Sequence, residues 1–333
     1  MTQLAVTDVA RHSRMSGVGA YRPRRVVPNS EIVEAIDSSD EWIRTRSGIV
    51  SRRISGPDET VQMMSVAAAE QAIKSAGITA SDIGCVIVAT VSHLSQTPAV
   101  ATIVTDELGS TPAAAFDISA ACAGFCHGVA LGSDMVRLGT AEHVLVIGVE
   151  RLSAITDPRD RGTAFIFADG AGAVVISPSE TPAIGPTVWG SDGARADFIR
   201  MDQHWDAVFA SEERVSPTLR MEGNAVFRWA SYEMAKVAQE ALDRAGITAA
   251  DLDAFIPHQA NNRITDAMAR ALKLPATVAI ARDIVEQGNT SAASIPLAME
   301  RMLVDGTARS GDVALLIAFG AGLAYSAQVV VLP

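Results

Sequence analysis

The chain has 333 residues, a net charge of −11 and a hydrophobic content of 48%. Its length suffices for one large domain or two ordinary ones. The acidic balance argues against broad nucleic-acid binding, although it leaves room for a local basic patch. The hydrophobic content favours an extensive core and a buried subunit interface.

The composition and the N-terminal pattern also argue against a membrane or secreted protein. No apolar run reaches the roughly 18 residues that span a bilayer, and the stretch MTQLAVTDVARHSRMSGVG lacks the basic head and apolar middle of a signal peptide. Cys85, Cys122 and Cys126 are too few and too irregularly spaced for a disulfide framework, and no CxxC pair indicates a zinc site. We therefore expect a cytoplasmic protein without a metal.

The predicted elements repeat about halfway along the chain. AGITASDIGCVIVAT begins at Ala76 and AGITAADLDAFIPHQ begins at Ala245, an offset of 169 residues. Each copy follows a helical pattern and leads into a short apolar strand. Gly77 and Gly246 are placed to end these helices in the left-handed conformation.

Two further matches follow in the same order, which makes chance repetition a poor explanation. AFDISAACAGFCHGVALGSDMV predicts a strand, a tight turn and a helix, and QGNTSAASIPLAMERML predicts a turn into a helix. FADGAGAVVISP and FGAGLAYSAQVVVLP each suggest a glycine turn between strands. We predict an α/β protein of two duplicated halves, 1–180 and 181–333, related by a pseudo-twofold axis. Each half has a mainly parallel sheet covered by helices, and near-continuous apolar strands (HVLVIGV, DVALLIAFG) predict burial on both faces.

Cys122 lies at the predicted turn between a strand and a helix, among Ala, Gly and Phe. Such a cysteine is often a small buried hydrophobe. A helix start, however, favours the thiolate and lowers the pKa of a cysteine, and small neighbours leave space for a substrate. Cys122 is therefore the candidate nucleophile, whereas Cys126, one helical turn later, and Cys85, in a strand, are expected to pack in the core.

His258 and Asn289 lie at corresponding loop ends of the second half. His258 ends the strand-like run LDAFIPHQAN, and Asn289 lies in the turn of GNTS. A structural histidine and a turn or N-cap asparagine are the alternative interpretations. Because chemistry in α/β folds gathers where strands lead into helices, a pseudo-twofold axis could bring both residues to Cys122.

Five motifs occur in order over nearly the whole chain: SSDEWIRTRSGI, AACAGF, DRGTAFIFADGAGA, PHQANNRI and GNTSAAS. In them the sequence resembles the thiolase-fold condensing enzymes, most closely bacterial β-ketoacyl-[acyl-carrier-protein] synthase III. The resemblance implies a thiolase-like fold, a homodimer and no metal or redox cofactor. It also implies an acyl-CoA primer and a malonyl-acyl carrier protein as substrates, either to initiate fatty acid synthesis or to prime an aromatic polyketide pathway.

The resemblance further implies roles for individual residues. Cys122 matches the acylated cysteine, and His258 and Asn289 match the pair that drives decarboxylation. The backbone N–H groups of Cys122 and Ala321 would form the oxyanion hole. Positions that hold coenzyme A are matched by Trp42, Arg46, Arg161, Asn224 and Asn261. The basic patch that docks the carrier protein is matched by Arg263, Arg228 and Arg270.

The chain departs from the family pattern at three places. Ala321 replaces the middle one of three glycines, which preserves an N–H if the backbone angles suit a residue with a Cβ. Asn262 stands where an apolar residue is common. Thr97 stands where acetyl-preferring members have a bulky aromatic residue before a proline, so we expect a deeper acyl pocket that accepts branched or longer primers.

Three other classes of protein share part of this pattern. A biosynthetic thiolase would need a second cysteine near its C-terminal glycine loop, but all the cysteines lie before residue 127. A papain-like hydrolase uses Cys, His and Asn, but it would lack the duplication. A paralogue that only binds coenzyme A or a carrier protein would be expected to have lost one of these three residues.

Overall fold

The computed structural model describes residues 11–333. The first ten residues, which form part of the stretch without a signal-peptide pattern, lie outside the described range. The strands of the first half are β1 (His12–Tyr21), β2 (Arg25–Pro28), β3 (Ser51–Ile54), β4 (Ile83–Ala89), β5 (Ala114–Ile118), β6 (His143–Arg151) and β7 (Asp169–Ser179). Its helices are α1 (Asp40–Ser47), α2 (Val61–Ala76), α3 (Val100–Leu108) and α4 (Gly124–Arg137).

The second half contains seven strands and five helices. The strands are β8 (Val188–Gly190), β9 (Ile199–Met201), β10 (Leu219–Met221), β11 (Ala254–Pro257), β12 (Ala279–Ile280), β13 (Val313–Phe319) and β14 (Tyr325–Val331). The helices are α5 (Trp205–Ala210), α6 (Gly223–Ala245), α7 (Asn262–Ala271), α8 (Ile284–Gln287) and α9 (Ser294–Asp305).

The two large sheets have the same topology. Sheet one has the order β1-β7-β6-β4-β5, and sheet two, read from its opposite edge, has the order β8-β14-β13-β11-β12. In each sheet two neighbouring pairs are parallel and two are antiparallel, because β7 and β14 run against the other four strands. The predicted duplication is confirmed, and the sheets are mixed rather than uniformly parallel.

The repeated AGIT segments adopt the same local structure. Gly77 and Gly246 end α2 and α6 with φ values of 69° and 72°. Each is followed by a 3-10 turn with a capping box, formed by Thr79 and Asp82 in one half and by Thr248 and Asp251 in the other. The identical caps explain why these stretches retain similar sequences.

The chain forms five layers. Successive residues of β6 alternate between two cores, with Val146 in a cluster shared with α4 and α9 and Leu145 in a cluster shared with α2. Sheet two divides in the same way, since Leu316 faces α4 and α9 while Leu315 faces α6. Helices α4 and α9 therefore lie between the two sheets, which are buried on both faces as predicted.

One predicted turn is wrong. Gly170 and Gly172 lie inside β7, where the sequence suggested a glycine turn. A Cβ at Gly172 would approach Pro296 to 2.7 Å, so the residue allows α9 to pack closely on the strand. The corresponding stretch of the second half does turn, at Gly320–Leu323.

The predicted boundary at residue 180 remains a prediction, and the strand content of the sheets agrees with it. Sheet one uses strands between His12 and Ser179, and sheet two uses strands between Val188 and Val331. Within residues 11–333 no helix is long and apolar enough to cross a bilayer.

Candidate active site

A cavity of about 680 Å³ collects most of the predicted site residues. Cys122, His258, Asn289 and Ala321 all line it, although they come from four separate segments of the two halves. The lining also includes Trp42, Arg46, Arg161, Asn224, Asn261 and Arg263. The lining does not include Thr97, Arg228 or Arg270.

Cys122 lies in the short segment 119–123, here called the Cys turn, between β5 and α4. The segment forms a 3-10 turn over Ala121–Ala123, with Ala121 at φ 45°, and α4 starts at Gly124. This is the strand–turn–helix order that the sequence predicts. Cys85 and Cys126 are buried in the core, also as predicted.

The loop after β13 packs against the Cys turn. A Cβ at Gly320 would lie 2.6 Å from the Cys122 nitrogen, so only glycine fits there. Within residues 11–333, the N–H groups of Cys122 and Ala321 donate to no backbone carbonyl, and the Cys122 N–H lies near its own sulfur. Ala321 has no positive φ, and its Cβ is therefore tolerated. Two free N–H groups beside the thiol are the arrangement that stabilises an oxyanion.

The predicted lowering of the Cys122 pKa is wrong for the resting protein. Burial raises the pKa of the thiol to about 12, the side chain of Ser291 lowers it, and the nearby Glu150 carboxyl raises it. The residue is only partly covered from solvent, but protein atoms surround its sulfur. Desolvation therefore outweighs the helix start, and the resting residue is a neutral thiol.

His258 directly follows β11 and is 2% exposed. Its Nδ1 lies 2.7 Å from Ser294 Oγ, which also accepts a hydrogen bond from the Gln259 N–H. When the Ser294 hydroxyl donates to Nδ1, the neutral ring carries its proton on Nε2, where it can be donated into the cavity. Burial lowers the pKa of His258 to about 3, so the ring is neutral at physiological pH.

Asn289 belongs to segment 288–293, here called the Asn turn, which precedes α9. Its Oδ1 accepts a hydrogen bond of 2.8 Å from the Ser291 N–H. Its main chain bridges to Phe167, with bonds between Ala168 N and Asn289 O and between Asn289 N and Ile166 O. This contact fixes the orientation of the amide, whose Nδ2 group is then available as a hydrogen-bond donor.

Trp42 forms a cationic stacking site at another part of the cavity. The Arg161 and Arg46 guanidinium carbons lie 4.9 and 5.4 Å from the centroid of its indole ring. The indole is fixed by an edge-on contact with Phe165, 5.2 Å between centroids. An aromatic ring flanked by two arginines suits a flat, anionic group such as a nucleotide.

The other predicted binding residues surround the same region. Asn224 is exposed in the first turn of α6, and Asn261 caps α7 by accepting from the Arg263 N–H while donating to Arg46 O. Arg263 lies over the ring of Phe227 at 4.5 Å. Arg228 and Arg270 are exposed on α6 and α7, outside the cavity lining.

Two of the departures from the family pattern have a structural setting. Thr97 is exposed in the loop after β4 and does not line the cavity. Asn262 begins α7, accepts a hydrogen bond from Arg282 and packs against Gly48, where a Cβ would approach its Nδ2 to 2.2 Å.

Sequence reasoning missed three residues that support the site: Ser291, Ser294 and Glu150. Ser291 orients Asn289, Ser294 orients His258, and the Glu150 carboxylate accepts a hydrogen bond from Ser291 Oγ at 3.1 Å. Both serines lie in the GNTSAAS motif, in which only the asparagine drew attention. Glu150 ends an apolar strand pattern, and a charged residue in that position was the available signal.

The fold is a thiolase-like α/β scaffold, and its cavity brings a thiol, an imidazole and an amide together. A family model described as 3-oxoacyl-[acyl-carrier-protein] synthase III matches residues 116–193, and a model of its C-terminal part matches residues 242–332. The chain is 60% identical to β-ketoacyl-[acyl-carrier-protein] synthase III 1 of Streptomyces coelicolor, and the alignment covers 100% of both.

Solved structures agree. The crystal structure of the priming β-ketosynthase from the R1128 polyketide biosynthetic pathway has a TM-score of 0.97 and 46% identity, covering 100% of this chain and 99% of the other. The synthase III of Aquifex aeolicus has a TM-score of 0.88 and 36% identity, covering 96% and 99%. The chain therefore belongs to the β-ketoacyl-[acyl-carrier-protein] synthase III family of condensing enzymes.

Proposed function

We propose that the chain condenses an acyl-CoA primer with malonyl-[acyl-carrier-protein], giving 3-oxoacyl-[acyl-carrier-protein], CoA and CO₂ through an acyl-Cys122 intermediate. The observation that carries this proposal is the common cavity of Cys122, His258 and Asn289, in which both donors have a fixed orientation. The scheme has two half-reactions on one sulfur and uses only groups of the chain.

In the first half-reaction, Cys122 Sγ attacks the thioester carbonyl of the primer. The tetrahedral oxyanion accepts hydrogen bonds from the N–H groups of Cys122 and Ala321, and CoA then leaves. The nucleotide end of CoA stacks at Trp42 between Arg46 and Arg161, while Asn224 and Asn261 lie along the path of its pantetheine arm. Arg263, Arg228 and Arg270 provide positive charge at the surface for an acidic carrier protein.

In the second half-reaction, malonyl-[acyl-carrier-protein] loses CO₂ and leaves an enolate. Its oxygen accepts hydrogen bonds from His258 Nε2–H and Asn289 Nδ2–H. Two neutral donors suit this step because an oxyanion must be stabilised and no proton has to be removed. The carbanion then attacks acyl-Cys122 and forms the 3-oxoacyl product.

The primer is proposed to be branched or longer than acetyl. Thr97 is exposed in the isolated subunit, so it can reach an acyl pocket only from across a dimer interface. Relative to a phenylalanine, a threonine leaves room for several methylenes, each worth about 0.8 kcal/mol when buried. The test compares kcat/KM for acetyl-, isobutyryl- and hexanoyl-CoA in the native enzyme and in Thr97→Phe. A steep fall beyond acetyl in the native enzyme, or an unchanged profile in the variant, contradicts this assignment.

The enzyme is proposed to act as a cytoplasmic homodimer. In the described chain β5 is an edge strand that pairs only with β4, and Phe116 on it is 36% exposed. Leu94, in the loop that carries Thr97, is 62% exposed. An apolar unpaired edge invites pairing with a second copy. Sedimentation at micromolar concentration should give about twice 34.9 kDa, and a fully active monomer contradicts the proposal.

Priming of an aromatic polyketide pathway is the second candidate. It is favoured by the 46% identity and the TM-score of 0.97 with a solved priming β-ketosynthase. Assays with the two kinds of carrier protein from the same cell distinguish the candidates, because the physiological partner should give the higher kcat/KM.

A further inference from the structure

Glu150 is a fully buried carboxyl group that the scheme above leaves without a role. It lies near the end of β6, is 0% exposed and forms no ion pair with a described residue. Its Oε2 accepts hydrogen bonds from Ser92 Oγ, Val91 N and Thr90 Oγ1 at 2.5, 3.2 and 3.3 Å. Its Oε1 accepts only from Ser291 Oγ, at 3.1 Å. The two oxygens therefore differ, and a proton would bind to Oε1.

Ser291 connects this carboxyl to the nucleophile. It lies in the Asn turn with φ 49°, and its side chain is close enough to the Cys122 thiol to lower the pKa of that thiol. Ser291 and Cys122 both line the cavity, whereas Glu150 does not. A hydroxyl can accept one proton while it donates another. The three groups thus form a chain from Cys122 Sγ through Ser291 Oγ to Glu150 Oε1.

We propose that Glu150 stores the Cys122 proton between the two half-reactions, receiving it through Ser291 when the thiol attacks and returning it when the thiolate leaves. The proposal rests on the acylation of Cys122 argued above. Glu150 acts through Ser291 and does not touch the substrate.

The transfers balance. In acylation the S–H bond of Cys122 breaks as its bond to the acyl carbon forms. That proton moves to Ser291 Oγ, and the Ser291 proton moves to Glu150 Oε1. The C–S bond of the acyl-CoA breaks, and water protonates the released CoA thiolate. In condensation the carbanion forms the C–C bond, the bond from the acyl carbon to Cys122 Sγ breaks, and both protons move back.

Charge and pKa support this cycle. Burial raises the pKa of Glu150 to about 7, while the hydrogen bonds from Ser92, Val91, Ser291 and Thr90 lower it. A group with this pKa can accept and return a proton at neutral pH. Once acylation has made Glu150 neutral, no carboxylate anion stands beside the acyl group when the malonyl carboxylate arrives and the enolate forms.

The charged side chains nearest to Glu150 are engaged elsewhere. Arg151, the next residue, donates to Ser55 Oγ and Gly56 O. Asp169 on β7 accepts from Ser55 and Ser153. His93 lies one residue beyond Ser92, and Cys122 is a thiol at rest. The titration of Glu150 is therefore governed by burial and by its own four donors.

The test measures the pH profile of Cys122 acylation by acetyl-CoA in single-turnover experiments. The wild-type rate should rise with pH through about 7, because Glu150 must be ionised to accept the proton. Glu150→Gln keeps the shape of the side chain but cannot take the proton, and Ser291→Ala cuts the chain. Alanine fits that position because Ala121 has the same backbone conformation in the Cys turn. Both variants should acylate about 10²-fold more slowly at pH 8 and lose the midpoint.

Ser92→Ala is the matched control, since it removes one donor to Oε2 and leaves Oε1 and Ser291 intact. Its midpoint should move upward, because the ionised carboxylate loses a hydrogen bond. Ser291→Ala retains the backbone N–H that holds Asn289 Oδ1. Decarboxylation is measured for each variant in a Cys122→Ala background and should fall far less than acylation does.

The outcomes separate the two claims. Failure of the wild type to acylate Cys122 refutes the proposed function. Wild-type rates and pH profiles in Glu150→Gln or Ser291→Ala refute the proton store alone. An equal loss of decarboxylation and acylation in both variants assigns Glu150 a structural role and also refutes the proton store. If Glu150→Gln does not fold, the acylation rates and pH profiles of Ser291→Ala and Ser92→Ala still test the proton store.

Discussion

The Cys turn and the Asn turn have nearly the same backbone and opposite chemistry. Ala121 and Ser291 occupy corresponding left-handed positions, with φ values of 45° and 49°, and each turn leads through a 3-10 turn into a helix of the central layer. One turn carries the thiol. The other carries the amide donor, and its serines orient the groups around it. The duplicated scaffold provides the geometry, and different side chains at equivalent positions give the two turns different chemical groups.

The largest expected effect comes from removing the thiol of the Cys turn. Cys122→Ala should lose condensation by at least about 10³-fold, because the described cavity lining contains no other thiol. The measurement is the transfer of label from radiolabelled acyl-CoA to the protein, followed by peptide mapping.

Cys126→Ala is the matched control for this change. Cys126 is buried in the core one helical turn later, so its removal should reduce stability slightly and leave the labelling of Cys122 intact. Label on Cys85 or Cys126, or a thioester that persists in Cys122→Ser, contradicts the assignment.

Changes to the donors should separate the turns by half-reaction. His258→Ala and Asn289→Ala should each slow malonyl decarboxylation by about 10²- to 10³-fold, because each removes one hydrogen bond to the enolate oxygen. Acylation of Cys122 should persist in both variants. The release of labelled CO₂ is measured beside single-turnover acylation, and a variant that decarboxylates at the wild-type rate disproves the role of its residue.

A methyl group added at Gly320, in the loop that packs against the Cys turn, should displace that turn. The new Cβ would lie 2.6 Å from the Cys122 nitrogen, so Gly320→Ala should block that N–H and slow acylation by about 10²-fold. Gly193→Ala is the matched control because nothing lies within 4 Å of its added Cβ. Equal acylation rates in both variants would show that the Cys122 N–H does not receive the oxyanion.

The smallest expected effect concerns stability in acid. His258 is neutral in the folded protein, with its pKa lowered from 6.5 to about 3 by burial, whereas it is protonated below 6.5 when unfolded. The contribution of neutral His258 to the unfolding free energy is therefore complete above pH 6.5, and it is lost as the pH falls toward 3. At pH 5 the wild type should therefore lose about 2 kcal/mol more unfolding free energy than His258→Gln, relative to pH 7.5.

The comparison with the variant is needed because Glu150 acts in the opposite direction. The pKa of Glu150 is raised from 4.5 to about 7. The contribution of protonated Glu150 to the unfolding free energy is therefore complete below pH 4.5, and it is lost as the pH rises through 7. Urea unfolding of both proteins at both pH values cancels this effect. An equal loss in the two proteins would mean that His258 is not held neutral by burial.

Much of the scaffold could be predicted because the two halves of the chain repeat the same pattern. The AGIT segments fixed the halves, their helix ends and the strand–turn–helix units, and the motifs indicated the residues that line the cavity. Gly170 and Gly172 were misassigned because a glycine pattern does not distinguish a turn from a close helix contact. That distinction depends on Pro296, more than 120 residues away.

The supporting contacts could not be predicted for the same reason. Ser291 and Glu150 are 141 residues apart, and no local pattern links them. The pKa of Cys122 was mispredicted because the sequence indicates a helix start but does not indicate how fully protein atoms surround the sulfur. Sequence patterns identified the residues of the site, whereas their contacts and burial could be read only from the folded structure.

The close packing of the Asn turn on sheet one should limit how far the turn moves. A Cβ at Gly148 would lie 2.2 Å from Ala292 O, so the turn rests on β6 with no side chain between the two backbones. Side chains change rotamer within picoseconds to nanoseconds, whereas main chain paired within a sheet has no comparable freedom. The spacing between the Asn turn and β6, and with it the reach of Ser291 toward Glu150, should therefore fluctuate as little as the sheet itself. Backbone order parameters for residues 288–293 should be as high as those of β6.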